Sequence, residues 1–147
     1  MLYQMNRLLR LTAAAGYPLT TAPLICIPLF YDQRIPPPLS VGVWGVTALF
    51  MLLLVCSAVI EPARFARRHP GRAGTTGTYS ISRHPGWLWF TAVHLLYTVL
   101  FPYSQVMVLL GFSTAANFAV IWIQDRYLFP KLFENYRTYQ KHVRFLL

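Results

Sequence analysis

Long uncharged runs broken by short polar stretches set the pattern of this chain. Residues 11–30 carry no charge, enough at about 1.5 Å per residue to cross a hydrocarbon layer about 30 Å thick. Pro18, Pro23 and Pro28 predict kinks, tolerated in a membrane helix when neighbours satisfy the freed carbonyls. Residues 31–38, with Asp32, Arg34 and the consecutive Pro36, Pro37 and Pro38, predict a short exposed connection. Residues 39–60 form the cleanest span, free of charge and proline. Gly42 and Gly45 lie where another helix could approach closely, and Glu61-Pro62 is expected to end the helix.

The pattern breaks over residues 61–85, where Arg64, Arg67, Arg68, Arg72 and Arg83 crowd a stretch that also holds Pro70, Gly71, Gly74, Gly77 and Pro85. So many breakers predict a polar loop, long enough to carry function as well as connection. Apolar character returns over residues 86–101, stops at Pro102, and resumes over residues 105–123, predicting a tight helical hairpin. Residues 130–143 read as an amphipathic tail helix. Leu132, Phe133, Tyr136, Tyr139 and Val143 fall on one side, Lys131, Glu134, Arg137, Thr138 and Lys141 on the other, and Pro130 suits the first turn.

Composition turns this pattern into a class. Of 147 residues, 56% are hydrophobic and 12% charged, and the mean hydropathy is +0.44, so too few polar residues exist to cover a water-facing surface. The reading is an all-α integral membrane protein: one domain of four transmembrane helices, the last two a hairpin, closed by a cytoplasmic amphipathic helix. Arg7 and Arg10 precede the first run, but its length, its prolines and the lack of a clear cleavage site favour a retained helix over a signal peptide.

The net charge of +9 sits between the apolar runs, where it meets anionic headgroups, so nucleic acid is excluded as the expected partner and the bilayer takes its place. Basic residues precede the first span, crowd the 61–85 loop, follow Ile123 and are missing around Pro102. That alternation puts both termini and the long loop on the cytoplasmic side. Cys26 and Cys56 stand in separate apolar runs with no paired spacing, indicating neither a disulfide nor a metal site. Nothing in the pattern fixes an oligomeric state.

Polar side chains within the spans need a reason. Ser113, Asn117 and Gln124 form one stripe on the last span, with Asp125 beside it, and Trp87, Thr91 and His94 share a face of the preceding one. For Ser113, Asn117 and Thr91 interhelical hydrogen bonding stands beside a functional role, and for His94 a satisfied core position stands beside a catalytic one. Asp125 differs, because it is one of four acids and sits where a cavity could open to the cytoplasm. The richest stretch is Gly77 to Leu88, which sets an aromatic ring at Tyr79, a fixed cation at Arg83, an imidazole at His84 and a helix-starting Pro85 at the membrane boundary. Its plain alternative is positive-inside anchoring by Arg83.

That stretch resembles the Gly-x-Tyr-x-x-x-Arg-His-Pro-x-aromatic-Leu signature of the isoprenylcysteine carboxyl methyltransferase family and related membrane methyltransferases. Gln124-Asp125-Arg126-Tyr127-Leu128, followed by Leu132, Glu134-Asn135-Tyr136-Arg137-Thr138-Tyr139 and Val143, is similar to that family's Glu-Glu-x-x-Leu and Tyr-x-x-Tyr tail. Three positions depart from it: Gln124-Asp125 replaces Glu-Glu, Leu132-Phe133 replaces Phe-Gly, and Trp89 stands where the family has a small residue.

The resemblance covers roughly the C-terminal half. It implies an S-adenosylmethionine-dependent methyltransferase, with a cytoplasmic cofactor site and a lipophilic or small amphiphilic acceptor arriving from the bilayer. Tyr79, Arg83, His84, Pro85, Gln124, Asp125, Tyr136 and Tyr139 would hold the cofactor, and Asp125 and Arg137 would serve the reaction. Two alternatives stand beside it. Sterol reductases, which use a nicotinamide cofactor, are similar in the same two regions, and a noncatalytic membrane scaffold could keep the fold without the site.

Overall fold

The computed structural model describes residues 20–147, and every regular element among them is helical. The part of the first expected span before Thr20 lies outside the described residues. Helix α1 is Thr20–Phe30, α2 runs Pro37–Arg68, α3 is Pro85–Leu100, α4 runs Ser104–Leu132 and α5 is Tyr136–His142. A single 3-10 turn, Gly77–Ser80, punctuates the connection from α2 to α3. Of these, α2 and α4, at 32 and 29 residues, are long and apolar enough to cross a membrane. Their outward faces expose Val41, Leu52, Val108 and Phe112.

Helix α3 is the packing centre. Phe90, Val93, Tyr97 and Leu100 are buried on it against Leu24 and Ile27 of α1 and Val106 and Leu110 of α4, with Val43, Trp44, Phe50, Met51 and Leu54 of α2 closing the cluster. Trp44 meets the Tyr97 ring edge-on at 5.7 Å. Polar residues inside the bundle serve as glue: Ser113 donates to the Thr20 carbonyl at 2.6 Å, Asn117 donates to the Thr20 hydroxyl at 3.1 Å, and the Tyr97 phenol donates to the Leu24 carbonyl at 2.9 Å. Thr114 donates its proton to the Leu110 carbonyl, so its hydroxyl oxygen accepts from His94 Nδ1 at 2.7 Å.

The close approach expected at Gly42 and Gly45 lies elsewhere, for a Cβ added to either would meet nothing within 4 Å. Gly86 is the tight point, where an added Cβ would touch the Ala58 methyl at 3.4 Å. A methyl here would sit in contact with α2 and leave no room for a larger side chain between the helices, whereas both earlier glycines face outward.

Helix α2 does not stop at Glu61-Pro62, and α4 does not stop at Ile123. Each continues through a proline by means of one wide turn placed just ahead of it: Cys56–Ile60 before Pro62, and Gln124–Leu128 before Pro130. A proline inside a helix loses one hydrogen bond and drives its ring toward the carbonyl four residues back. Widening the turn to five-residue spacing moves that carbonyl aside. The Glu61 amide accordingly reaches back to the Cys56 carbonyl, and the Phe129 amide to the Gln124 carbonyl.

The expected tail helix over 130–143 is divided as a result. Its first turn belongs to α4, Phe133–Asn135 form a corner, and α5 begins at Tyr136. Leu132, expected on the packed face, is exposed.

Candidate functional site

Each proline leaves a carbonyl five residues upstream without its helical donor, and both carbonyls are taken by side chains of one cluster. The carbonyl of Ser57, upstream of Pro62, accepts the Tyr79 phenol at 2.9 Å. The carbonyl of Asp125, upstream of Pro130, accepts from Gln140 Nε2 at 3.2 Å. The wide turns therefore do two things: they let the helices extend past the apolar spans, and they offer acceptors that dock the 3-10 turn and α5.

Asp125 is the hub. Arg83 Nη1 lies 2.8 and 2.9 Å from its two carboxylate oxygens, the Tyr136 phenol donates at 2.6 Å, His84 Nε2 sits at 3.2 Å and Gln140 Nε2 at 3.2 Å. An ionised carboxylate only accepts, so His84 must carry its hydrogen on Nε2. The pair is well shielded, with the Arg83 and Asp125 side chains 12% and 10% exposed. Two oxygens receiving donors from four side chains leave little capacity for a ligand. Asp125 therefore acts by orienting its neighbours.

Aromatic rings and the backbone of Arg144 and Phe145 fix the cluster from behind. The His84 ring lies between Phe129, near parallel at 6.0 Å, and Phe145 at 4.9 Å. The Arg83 guanidinium also stands 5.5 Å from the Phe145 ring. The Arg83 amide donates to the Arg144 carbonyl at 3.1 Å, and Ser82 donates to that of Phe145. Arg83 Nε is buried with no partner.

In front of the cluster is a cavity of about 620 Å³ whose wall includes Tyr79, Arg83, Tyr136 and Tyr139, with Phe65, Phe129 and Phe133 beside them. This volume is in the range of small-molecule sites. Its far side is the exposed end of α2 and the loop beyond, with Glu61, Arg64, Arg68 and Arg72. Glu61 accepts from the Thr78 amide at 3.1 Å and the Thr78 hydroxyl at 2.7 Å. Gly77 makes this approach possible, because its φ of +67° favours glycine and an added Cβ would stand 2.9 Å from Glu61 Oε2.

The loop is held to α5 by an amide clamp. Asn135 Oδ1 accepts from the Ala73 amide at 2.7 Å, and Asn135 Nδ2 donates to the Ala73 carbonyl at 3.2 Å. Ala73 is buried against Tyr136 and Tyr139, and the Tyr139 phenol donates to the Tyr79 carbonyl at 2.7 Å.

Of the residues singled out in the sequence, Tyr79, Arg83, Tyr136 and Tyr139 wall the cavity. His84, Pro85, Gln124 and Asp125 are buried but contribute nothing to that wall. Arg137 is exposed and is not part of it, because α5 turns its tyrosines inward, one turn apart, and Arg137 lies off that stripe. Sequence reasoning missed Gln140, Asn135, Glu61 and Phe145. The signal that could have found the first is Pro130, which frees the carbonyl Gln140 occupies.

Burial first, then the bond to Asp125, push the Tyr136 phenol well above the ordinary tyrosine value of 10.0. Burial does the same for Tyr139. Both therefore stay protonated near neutrality, which makes Tyr136 a hydrogen-bond donor and rules it out as a resting base. A group whose value is raised on folding adds stability that is complete below its unfolded value and is lost as the pH climbs from there through the folded value. The unfolding temperature in detergent is therefore expected to fall steeply above about pH 10. Tyr136→Phe should flatten that decline while leaving the part due to Tyr139, and an unchanged profile would contradict this assignment.

Comparison with known protein families, with curated proteins and with solved structures finds no match to this chain. The fold and site define a chain that is all-helical among the described residues, with two helices long and apolar enough to cross a membrane and a basic, aromatic-walled cavity at their shared end.

Proposed function

We propose that the chain is a four-span membrane methyltransferase that uses S-adenosylmethionine at the cytoplasmic face and acts on a lipophilic or small amphiphilic acceptor. The observation that carries this reading is the joining of the two motif segments through Asp125, with Arg83, Tyr79, Tyr136 and Tyr139 turned toward one cavity. The residues fit the cofactor. Arg83, on the cavity wall, carries a planar guanidinium suited to a carboxylate, and tyrosine faces suit a sulfonium cation.

When bound, that group would supply an activated methyl for transfer to a lone pair of the acceptor, with the carbon–sulfur electron pair left on sulfur. The chain's own part is to align and to exclude water. Asp125 holds the Arg83 guanidinium and the Tyr136 phenol in place, His84 is locked between two rings, and the Asn135 clamp closes the loop over the aromatic wall.

A second reading, nicotinamide-dependent reduction, is favoured by one feature: Arg64, Arg68 and Arg72 on the cavity's far side would suit a phosphate-bearing cofactor better than a cationic one. Thermal stability of the detergent-purified chain separates the two. S-adenosylhomocysteine is expected to raise the unfolding temperature and NADPH to leave it unchanged. The reverse would favour the reductase, and no response to either would favour a noncatalytic scaffold.

A further inference from the structure

The cavity wall changes character along its length. Ala58, at one end, belongs to the uncharged stretch of α2, while Arg64 and Arg68 follow on the same helix and Arg72 on the loop beyond. From Ala58 to Arg68 a helix rises about 15 Å, so an apolar end and a cationic end lie within the reach of one amphiphilic molecule. The three arginines are exposed, and among the described residues none makes an ion pair with a carboxylate. Glu61, the acid on that wall, already accepts two hydrogen bonds from Thr78. One carboxylate against three guanidinium groups leaves a surplus of positive charge on this wall.

We propose that Arg64, Arg68 and Arg72 form the recognition site for a phosphate group on an amphiphilic ligand, whose apolar part extends toward Ala58. Guanidinium groups bind phosphate through paired donors, and three of them suit a phosphate monoester better than a singly charged carboxylate. The proposal rests on the methyltransferase reading only in calling this ligand the acceptor; the phosphate site stands on the arginines themselves. Under that reading, Arg83 and the tyrosines hold the cofactor at the inner end and the arginine rim holds the acceptor.

The test uses the full chain in an uncharged detergent, with unfolding temperature as readout and four probes: dihexanoyl phosphatidic acid, dihexanoylglycerol, inorganic phosphate and NADPH. The phosphatidic acid is expected to stabilise the wild type, and its apparent affinity should fall about three- to tenfold for each arginine changed to glutamine. The triple variant Arg64→Gln, Arg68→Gln, Arg72→Gln should lose that response while keeping the response to S-adenosylhomocysteine, which also shows that it is folded. Equal stabilisation by dihexanoylglycerol, or a phosphatidic acid response that survives the triple variant, overturns the phosphate site. A full response to inorganic phosphate alone overturns the amphiphilic ligand, and an arginine-dependent response to NADPH assigns the rim to a cofactor instead. Wild type that responds to phosphatidic acid but not to S-adenosylhomocysteine would sink the methyltransferase reading and leave this one standing.

Discussion

Asp125→Ala is expected to be the most damaging single substitution outside the helical core, lowering stability by about 3–5 kcal/mol and, on the methyltransferase reading, removing the response to S-adenosylhomocysteine. The cause is what the substitution leaves behind. Arg83, 12% exposed, would keep its charge with no counter-ion, the Tyr136 phenol would lose its acceptor, and His84 Nε2 would lose the oxygen at 3.2 Å. A buried charge without its partner costs far more than the intact pair contributes. The double substitution Arg83→Met with Asp125→Leu should therefore regain much of the stability of the wild type. On the methyltransferase reading it should still give no response to S-adenosylhomocysteine, because the guanidinium on the cavity wall is gone. Unfolding in detergent, run with and without S-adenosylhomocysteine on the three proteins, reads both effects. If Asp125→Ala unfolds like wild type, the hub described here is not structural.

The second large effect is expected at Asn135, which lies outside the cavity wall. Asn135→Ala removes two hydrogen bonds to the buried Ala73 backbone and leaves an amide and a carbonyl with no partner, a cost of about 2–4 kcal/mol. Asn135→Asp should be no better than alanine, since a carboxylate accepts from the Ala73 amide but sets a second oxygen against the Ala73 carbonyl. The loss should be local as well as global: trypsin is expected to cut after Arg72 faster in both variants than in wild type, because Ala73 then separates from Tyr136 and Tyr139. Equal cleavage rates would show that the Glu134 amide, bonded to the Gly71 carbonyl at 3.2 Å, suffices to hold the loop.

The Asn135 clamp and the Asp125 hub join segments of very different sequence position, and this divides what was legible from what was not. The sequence marks Arg83, His84, Asp125, Tyr136 and Tyr139 as unusual, through their residue types and through two short motifs. It does not reveal that four side chains converge on one carboxylate, nor that Asp125 stands behind the cavity wall. Arg137 shows the converse, for its motif position drew it into the expected site while its place on α5 leaves it exposed.

The helix ends followed the same logic. Proline at 62 and 130 argues locally for a stop, since it lacks a donor and crowds the preceding turn. Whether the chain stops or widens the turn depends on whether the freed carbonyl finds a donor elsewhere. Tyr79 and Gln140 supply those donors, from 22 and 15 residues away along the chain. No local rule contains that information.

What the sequence determined by itself is the helical class, the order of the apolar elements, the hairpin position and the basic segments, because hydrophobic run length and proline spacing act within one or two turns. What the tertiary structure alone decided is where two helices pass through their prolines, which glycine allows close approach, and which charged groups share one carboxylate. These outcomes turn on satisfying buried backbone and charged groups, and a group far along the chain satisfies them as well as a near one.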